Sequence, residues 1–257
     1  MTIAPAGTTA LREPGPLLFA RFALPPNHLG YCGGDETASL LQHLDAGVVD
    51  DDLVRQCRDF EGAYPYLQLI ADQVGIADPL DRAAVEAYWV GTPALASVGA
   101  GAFAADLTSR FRSRASKRDW AWLASKPAGG AVPHHSFHVL EVLPRIGMIR
   151  GGLPPALVPV LERCLVRPAR VAAVEGDLLR VTAPRLLLVD GKLRFVRGGG
   201  DEHVRWRIGG TELVAAPCSG EHVAIHWDWA CDRLTTTGAR RLRLETDAAL
   251  KRANTTL

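Results

Sequence analysis

The chain has 257 residues, of which 47% are hydrophobic and 22% charged, which are ordinary proportions for a globular protein with a substantial core. Its 29 Lys and Arg residues nearly balance its 28 Asp and Glu residues, which argues against the broad basic surface needed for nonspecific binding of nucleic acid. No apolar run approaches the roughly 18 residues of a membrane-spanning helix, and the first residues lack the features of a secretory signal. We therefore expect a cytoplasmic protein with neither a nucleic-acid nor a membrane partner.

The first part of the chain predicts a mainly helical domain over residues 16–155, after a Pro- and Gly-rich start, residues 1–15, that we expect to be flexible. For one of the helices, Asp78 is the predicted N-cap and Pro79 lies in the first turn. Helical spacing of apolar residues is seen in four stretches: DETASLLQHLDAG, DDDLVRQCRDFEGAYPYLQLIADQVG with two helices, DPLDRAAVEAYWVG, and ASVGAGAFAADLTSRFRSRASKRDWAWLAS with one or two.

The second part, residues 160–257, predicts short strands. Val- and Leu-rich runs are separated by Gly-Asp and Asp-Gly dipeptides, which are strong hairpin signals, in ARVAAVEGDLLRVTAPRLLLVDGKLRFV. Two more runs follow in TELVAAPCSGEHVAIHWDWACDRL, and TTTGARRLRLETDAALKRAN predicts a terminal helix. We predict an α+β fold, in which a helical N-terminal domain is followed by a small OB-like β-barrel with a C-terminal helix.

Cys164 stands directly in front of the first predicted strand. The five cysteines are scattered without a Cys-x-x-Cys pair, and an odd number in a cytoplasmic chain indicates thiols rather than disulfides. A buried packing thiol is the ordinary interpretation of Cys164, and a nucleophile or a metal ligand is the alternative. Cys218 and Cys231 belong to no motif, and we expect them to be core thiols.

The run CLVRPARVAAVEGDLLRV, which begins at Cys164, resembles the start of the HypC/HupF hydrogenase assembly chaperones, which open with Cys-Leu-x-x-Pro-x-x-Val. Farther along, GEHVAIHWDWACDRLTTTGAR resembles that family's second landmark, Gly-Asp-x-Val-x-x-His. The resemblance covers residues 163–254. It implies a barrel in which Cys164 and His226 hold an iron fragment with cyanide and carbon monoxide ligands, destined for nickel-iron hydrogenases.

The donor types suit that role, because a thiolate is a soft ligand and an imidazole can add a ligand or an outer hydrogen bond. Three features depart from the family: Cys164 lies inside the chain, Glu221 replaces an aspartate, and RGGGDEHVRWRIGGTE is inserted between strands. The alternative for His226 is a strand histidine that packs beside Trp227 or Trp229.

A second group of candidate ligands lies in PHHSFHVLEV, which holds His134, His135 and His138. In a helix or a strand, His134 and His138 point the same way, whereas in a strand His135 points opposite. The spacing matches neither His-Glu-x-x-His nor a zinc finger. A metal site here needs a further ligand, for which Cys32, His28 and Glu141 are candidates, and hydrogen-bonded structural histidines are the alternative.

The loop PPNHLGYCGGDE holds His28, Cys32, Asp35 and Glu36, which suit either a metal site or a close backbone approach at Gly33 and Gly34. A plain turn is the alternative. No phosphate-binding or dinucleotide-binding glycine loop and no Gly-x-Ser-x-Gly elbow is present, which disfavours nucleotide-dependent and serine-hydrolase chemistry.

The whole chain also resembles an uncharacterised actinobacterial family associated with hydrogenase genes, on FARFALPPNHLGYCGGDE, FEGAYPYLQLIA and PHHSFHVLEVLPRIG. The first hypothesis is therefore a nickel-iron hydrogenase maturation or assembly protein. It would bind the hydrogenase large-subunit precursor or carry the Fe(CN)2CO fragment, with iron as its metal and other maturation proteins as partners.

Two further hypotheses remain open. One is a metal-dependent enzyme with a His-rich site in the N-terminal domain, built from His134, His135 and His138 with Cys32 nearby. The other is an interaction module that binds no metal.

Overall fold

The computed structural model describes residues 13–146, 155–196, 198 and 200–255. It has the predicted α+β architecture, with a helical N-terminal region, a five-stranded barrel and a C-terminal helix. The predicted flexible start lies outside the described residues up to Arg12, and the first helix begins at Gly15. In the described part of the chain, every helix is too short or too polar to cross a membrane.

Seven helices build most of the N-terminal region. The first of them, α1, has every residue buried except Arg21 and His28, which is typical of a helix at the centre of a domain. A helix that is apolar on all sides shows no amphipathic period, so the sequence did not predict it. The seven are α1 Gly15–His28, α2 Thr37–Ala46, α3 Asp51–Arg58, α4 Tyr64–Val74, α5 Arg82–Trp89, α6 Ala100–Phe111 and α7 Lys117–Ala124, with a 3-10 turn at Pro93–Ser97.

The start of α5 differs from the prediction. Its N-cap is Asp81, whose carboxylate accepts from the backbone N–H of Ala83 at 2.8 Å. The carboxylate of Asp78 instead accepts from the N–H of Leu80 at 2.9 Å in the preceding turn. Asp78 was therefore the wrong cap, because a second aspartate three residues on caps the helix after this turn.

The histidine segment forms a helix that changes its winding. Helix α8 covers His135–Phe137, a π-helical turn covers His138–Val142, and α9 covers Leu143–Ile146. Single π-helical turns occur frequently at functional sites. The segment is fixed from outside by a 2.8 Å hydrogen bond between the hydroxyls of Ser136 and Thr246.

After a 3-10 turn at Pro155–Leu157 and helix α10, Val158–Cys164, the chain enters the barrel. The strands are paired in the closed order β1-β2-β5-β9-β8, in which only the β5–β9 pair is parallel. A five-stranded Greek-key barrel of this kind agrees with the predicted OB-like architecture. Its strands are β1 Arg167–Glu175, β2 Leu178–Thr182, β5 Asp201–Arg205, β8 His222–His226 and β9 Trp229–Leu234.

Four strands lie outside the barrel: the hairpin β3 Arg185–Val189 with β4 Lys192–Val196, and the short pair β6 Arg207–Ile208 with β7 Thr211–Glu212. The stretch that sequence analysis described as an insertion therefore contains the barrel strand β5. The hairpin β3–β4 is an additional element, and it packs on α10 and on the C-terminal helix α11, Thr236–Ala253.

The core of the helical region extends onto one side of the barrel, whose interior forms a separate apolar cluster. Apolar side chains of α1 and α5 pack in the same cluster as Trp229 and Cys231 of β9 and Leu242 of α11. The predicted division into domains 16–155 and 160–257 follows the change of secondary structure, but a continuous apolar interface joins the two halves. The candidate site lies at this interface.

Candidate metal centre

Three of the predicted ligands meet in space: His135 of α8, Cys164 at the end of α10 and His226 at the end of β8. Each offers one ligand atom, and these atoms all lie within 4.8 Å of one another. Within the described ranges, this is the one group of His, Cys, Asp or Glu side chains arranged to hold a metal ion. It combines residues from both predicted clusters.

The backbone joins the segments that carry Cys164 and His226. The N–H of Trp227 donates to the carbonyl oxygen of Arg163 at 2.8 Å, and the Arg163 guanidinium lies 3.3 Å from the carboxylate of Asp228. These contacts hold the end of α10 against the turn between β8 and β9. The two landmarks of the sequence motif are thereby brought side by side.

His226 is held in one orientation by helix α1. Its Nδ1 donates to the carbonyl oxygen of Phe22 at 2.8 Å. An α-helical carbonyl normally accepts from the residue four positions on, but that residue is Pro26, which has no N–H. With the proton on Nδ1, Nε2 keeps its lone pair, and it is buried without a hydrogen-bond partner. An imidazole fixed in this way is prepared to bind a metal through Nε2.

His135 lies between aromatic rings and the other two ligands. Its ring centroid is 4.5 Å from that of Trp89 and 5.1 Å from that of His226. Its Nδ1 is buried and has no hydrogen-bond partner. The residue is positioned by its neighbours, since the Nδ1 of His134 accepts from the N–H of Ser136 at 3.1 Å at the start of α8.

Burial sets the protonation of all three groups. It lowers the pKa of His226 to about 4 and that of His135 well below the usual 6.5, so both imidazoles are neutral at pH 7. Burial also raises the pKa of the Cys164 thiol far above its usual range. A metal ion would therefore have to displace the thiol proton when it binds. Two neutral imidazoles and one thiolate favour a transition metal over Mg²⁺ or Ca²⁺.

A cavity of about 780 Å³ opens beside the three ligands. Its inner wall includes Tyr88, Trp89 and Trp227, and its mouth includes the loop from Tyr31 to Gly34. Three protein ligands beside an open space leave coordination positions for a further molecule, which distinguishes reactive metal sites from closed structural ones.

The other predicted ligands lie outside the group of three. Cys32 and His138 line the cavity. The Nδ1 of His138 is 3.2 Å from the hydroxyl of Tyr66, and the carbonyl oxygen of Cys32 accepts from the Asn27 amide at 3.1 Å. His134 is buried against Gly91 and does not line the cavity.

The remaining candidates have other contacts. The ring of His28 lies 5.4 Å from that of Trp229, Glu36 pairs with Arg55, and Glu141 pairs with Arg252. Of the two cysteines without a motif, Cys231 is buried as predicted. Cys218 is exposed, so its prediction as a core thiol was wrong. It lies in the turn before β8, outside the barrel core.

The aromatic groups of the cavity were not predicted from the sequence. Trp89 lies in the predicted helix DPLDRAAVEAYWVG, which gave no sign of a site, and Trp227 was considered only as a neighbour of His226. The single signal for Trp227 was its position next to a predicted ligand.

A family model described as "Family of unknown function (DUF6390)" matches residues 11–257. No curated protein and no solved structure matches the chain.

Proposed function

Because the chain belongs to the DUF6390 family, whose function is unknown, we propose a function from the geometry of its own site. We propose that it is a nickel-iron hydrogenase maturation or assembly protein that binds a metal through His135, Cys164 and His226. Iron, carried as the Fe(CN)2CO fragment, is the metal that this proposal assigns to the site as cargo.

The observation that carries the proposal is the approach of Cys164 to His226. The resemblance to the HypC/HupF chaperones names this pair, and a shared iron ligand requires that their donor atoms meet. The two residues are far apart in the sequence, but their ligand atoms, together with that of His135, all lie within 4.8 Å of one another. His135, from the second histidine cluster, would supply a third ligand that the resemblance does not include.

The cavity supports a cargo larger than a bare ion. It has a volume of about 780 Å³ and reaches the three ligands. Tyr31 lies at its mouth, and Leu29 precedes it by two residues in the chain. Their side chains are 46% and 48% exposed, so apolar surface is available beside the cavity. In this proposal they contact the hydrogenase large-subunit precursor or another maturation protein when the cargo is transferred.

The test is an infrared spectrum of the protein purified anaerobically from a host that expresses the hydrogenase maturation proteins. We expect cyanide and carbonyl stretching bands in the wild type and in Cys57→Ser, and their loss in Cys164→Ser. Cys57 is a suitable control because it is buried, like the site, but lies in α3, outside both the group of ligands and the cavity wall.

Bands that persist in Cys164→Ser would contradict the assignment of Cys164 as a ligand. Absence of the bands from a wild-type sample that contains stoichiometric zinc would contradict the cargo and favour the second function below. A wild-type sample without any metal would contradict both functions.

The second function is a metal-dependent enzyme, and the open coordination of the site favours it. One thiolate and two imidazoles beside a cavity match the three-ligand arrangement of catalytic zinc sites. In this alternative, His135 acts together with Cys164 and His226, rather than with His134 and His138. Stoichiometric Zn²⁺ binding that is lost in His135→Gln and retained in His138→Gln would support this ligand set.

A further inference from the structure

Two indole N–H groups in the cavity wall have no acceptor. Trp89 and Trp227 both line the cavity and are only 3% and 5% exposed. The Nε1 atom of each is buried without a hydrogen-bond partner. Buried indole N–H groups usually find a partner, so two of them in one cavity indicate a missing acceptor.

Both indoles lie against the proposed metal ligands. The ring of Trp89 is 4.5 Å from that of His135 and 5.6 Å from that of His226, between centroids. Trp227 follows His226 directly in the chain, and their centroids are 6.5 Å apart. Both indole rings therefore border the space around the proposed metal ligands.

Trp227 is held there in an unfavourable backbone conformation. Its φ is +50°, a left-handed value that bulky residues rarely adopt. The conformation is maintained by its N–H bond to Arg163 and by stacking on Tyr31, whose ring centroid is 4.4 Å away. Trp227 and Asp228, whose φ is +65°, are the two central residues of the tight turn between β8 and β9, and such a hairpin turn requires positive φ at both positions. The turn therefore fixes where the Trp227 ring lies.

Charge indicates what kind of acceptor is missing. A divalent metal bound by the Cys164 thiolate and two neutral imidazoles has one uncompensated positive charge. No carboxylate belongs to the ligand group within the described residues, and the cavity's carboxylates, Asp59 and Glu61, are exposed at its mouth. A net charge in a buried site is costly, and an anion on the metal removes it.

We infer that the metal of this site carries a small anionic ligand, and that the indole N–H groups of Trp89 and Trp227 donate hydrogen bonds to it. The inference rests on the proposed metal site and names the class of ligand that the site selects. The cyanide groups of the proposed iron cargo belong to this class, because they are anions whose nitrogen atoms accept hydrogen bonds. The first cyanide cancels the positive charge, the second leaves a negative one, and the two indole N–H groups would stabilise that negative charge.

The test uses the full chain loaded with Co²⁺, whose visible absorption changes when an exogenous ligand binds. Azide is the probe. We expect Trp89→Phe and Trp227→Phe each to weaken azide binding about tenfold, the usual effect of losing a hydrogen bond to a charged acceptor. Their Co²⁺ affinity should stay within about twofold of the wild type, since neither indole is a metal ligand.

Trp122→Phe is the matched control, because its Nε1 is likewise buried without a partner but the residue does not line the cavity. Its azide affinity should equal that of the wild type. Trp89 has core contacts, so circular dichroism must show that its variant folds. If it does not, Trp227→Phe decides the outcome.

Equal azide affinity in the wild type and in the folded tryptophan variants would overturn the inference while leaving the metal site intact. Failure of the wild type to bind Co²⁺ would overturn the metal site and the inference with it. The two failures are thus distinguished by the metal titration that precedes the azide titration.

Discussion

His226 is linked to Phe22 by a 2.8 Å hydrogen bond, from the imidazole Nδ1 to a helical carbonyl oxygen. The carbonyl is available because Pro26 lacks the N–H that would otherwise occupy it. Pro26, near the end of α1, thus has a role beyond its effect on the helix. It leaves free the acceptor that fixes the tautomer of a proposed metal ligand.

The first prediction concerns Pro26→Ala. The new N–H would compete with His226 for the Phe22 carbonyl, and the proton would be held less firmly on Nδ1. Outer-sphere hydrogen bonds of metal-binding histidines typically contribute about 10- to 100-fold to metal affinity. Competition weakens this hydrogen bond without removing it, so we expect the Co²⁺ affinity to fall roughly tenfold. A competition titration against a chelator measures it.

Pro25→Ala provides the control. It restores an N–H opposite the carbonyl of Arg21, one residue before the carbonyl that His226 uses. Its Co²⁺ affinity should match that of the wild type. An equal loss of affinity in the two variants would assign the effect to the helix end rather than to the His226 hydrogen bond.

The second prediction concerns Gly33, in the loop at the cavity mouth. Its φ is +79°, and a Cβ there would lie 2.5 Å from the ring of Phe60. Gly33→Ala must therefore displace the loop that carries Cys32 and should cost about 1–3 kcal/mol of unfolding free energy. Urea denaturation measures the loss, and faster labelling of the Cys32 thiol would report the displacement.

Gly34→Ala tests the same loop without the clash, since φ is not positive there and no atom lies within 4 Å of the added Cβ. It should change the unfolding free energy by less than about 0.5 kcal/mol. A Gly33→Ala variant as stable as Gly34→Ala would contradict the proposed contact with Phe60.

The sequence predicted those parts of the fold in which the pattern is local. The helices α2, α3 and α4 have amphipathic spacing or clear end signals, and the barrel strands have turn dipeptides. Helix α1 has neither feature, because it is buried on almost every side. Strand β5 was missed because the glycine-rich stretch before it reads as an insertion.

The site was predictable in its residue types but not in its assembly. Cys164 and His226 came from a motif, and His135 came from a cluster of three histidines. Local periodicity could not show which of those histidines turns towards the barrel, since that depends on the packing of α8 against α11 through Ser136 and Thr246. His135 meets Cys164 and His226 only through tertiary packing, which local sequence patterns do not show.

The third prediction concerns the pH dependence of the metal-free protein. Burial lowers the pKa of His138 to about 3 from the usual 6.5. Below pH 6.5 the unfolded chain gains a proton that the folded chain does not, so stability falls as the pH falls. Between pH 7 and pH 5 this group should remove about 2 kcal/mol of unfolding free energy.

His138→Gln removes the titrating group and leaves an amide near the Tyr66 hydroxyl. Between pH 7 and pH 5, the unfolding free energy of this variant should fall by about 2 kcal/mol less than that of the wild type. Urea denaturation with a chelator present measures both proteins. Tyr66→Phe removes the hydrogen bond but keeps the imidazole, and its pH dependence should follow the wild type. Parallel pH dependence of the wild type and His138→Gln would refute the assignment.

The fourth prediction concerns Glu141, whose contribution to stability should fall as the pH rises, opposite to that of His138. Glu141 is fully buried and accepts a hydrogen bond from Arg252 at 2.9 Å. Burial outweighs the arginine and raises the pKa of Glu141 to about 7. The folded state therefore holds a proton that the unfolded state releases above about pH 4.5. The contribution of this group to stability is largest below that pH and declines as the pH rises to 7.

Glu141→Gln mimics the protonated acid at every pH. Relative to this variant, the wild type should lose about 2 kcal/mol of unfolding free energy between pH 5 and pH 7. Glu175→Gln is the control, because the hydrogen bond from Arg180 holds the pKa of Glu175 below its usual value and keeps its titration out of this range. If the difference between the wild type and Glu141→Gln stays constant from pH 5 to pH 7, Glu141 is ionised throughout, and Arg252 stabilises its charge more than burial opposes it.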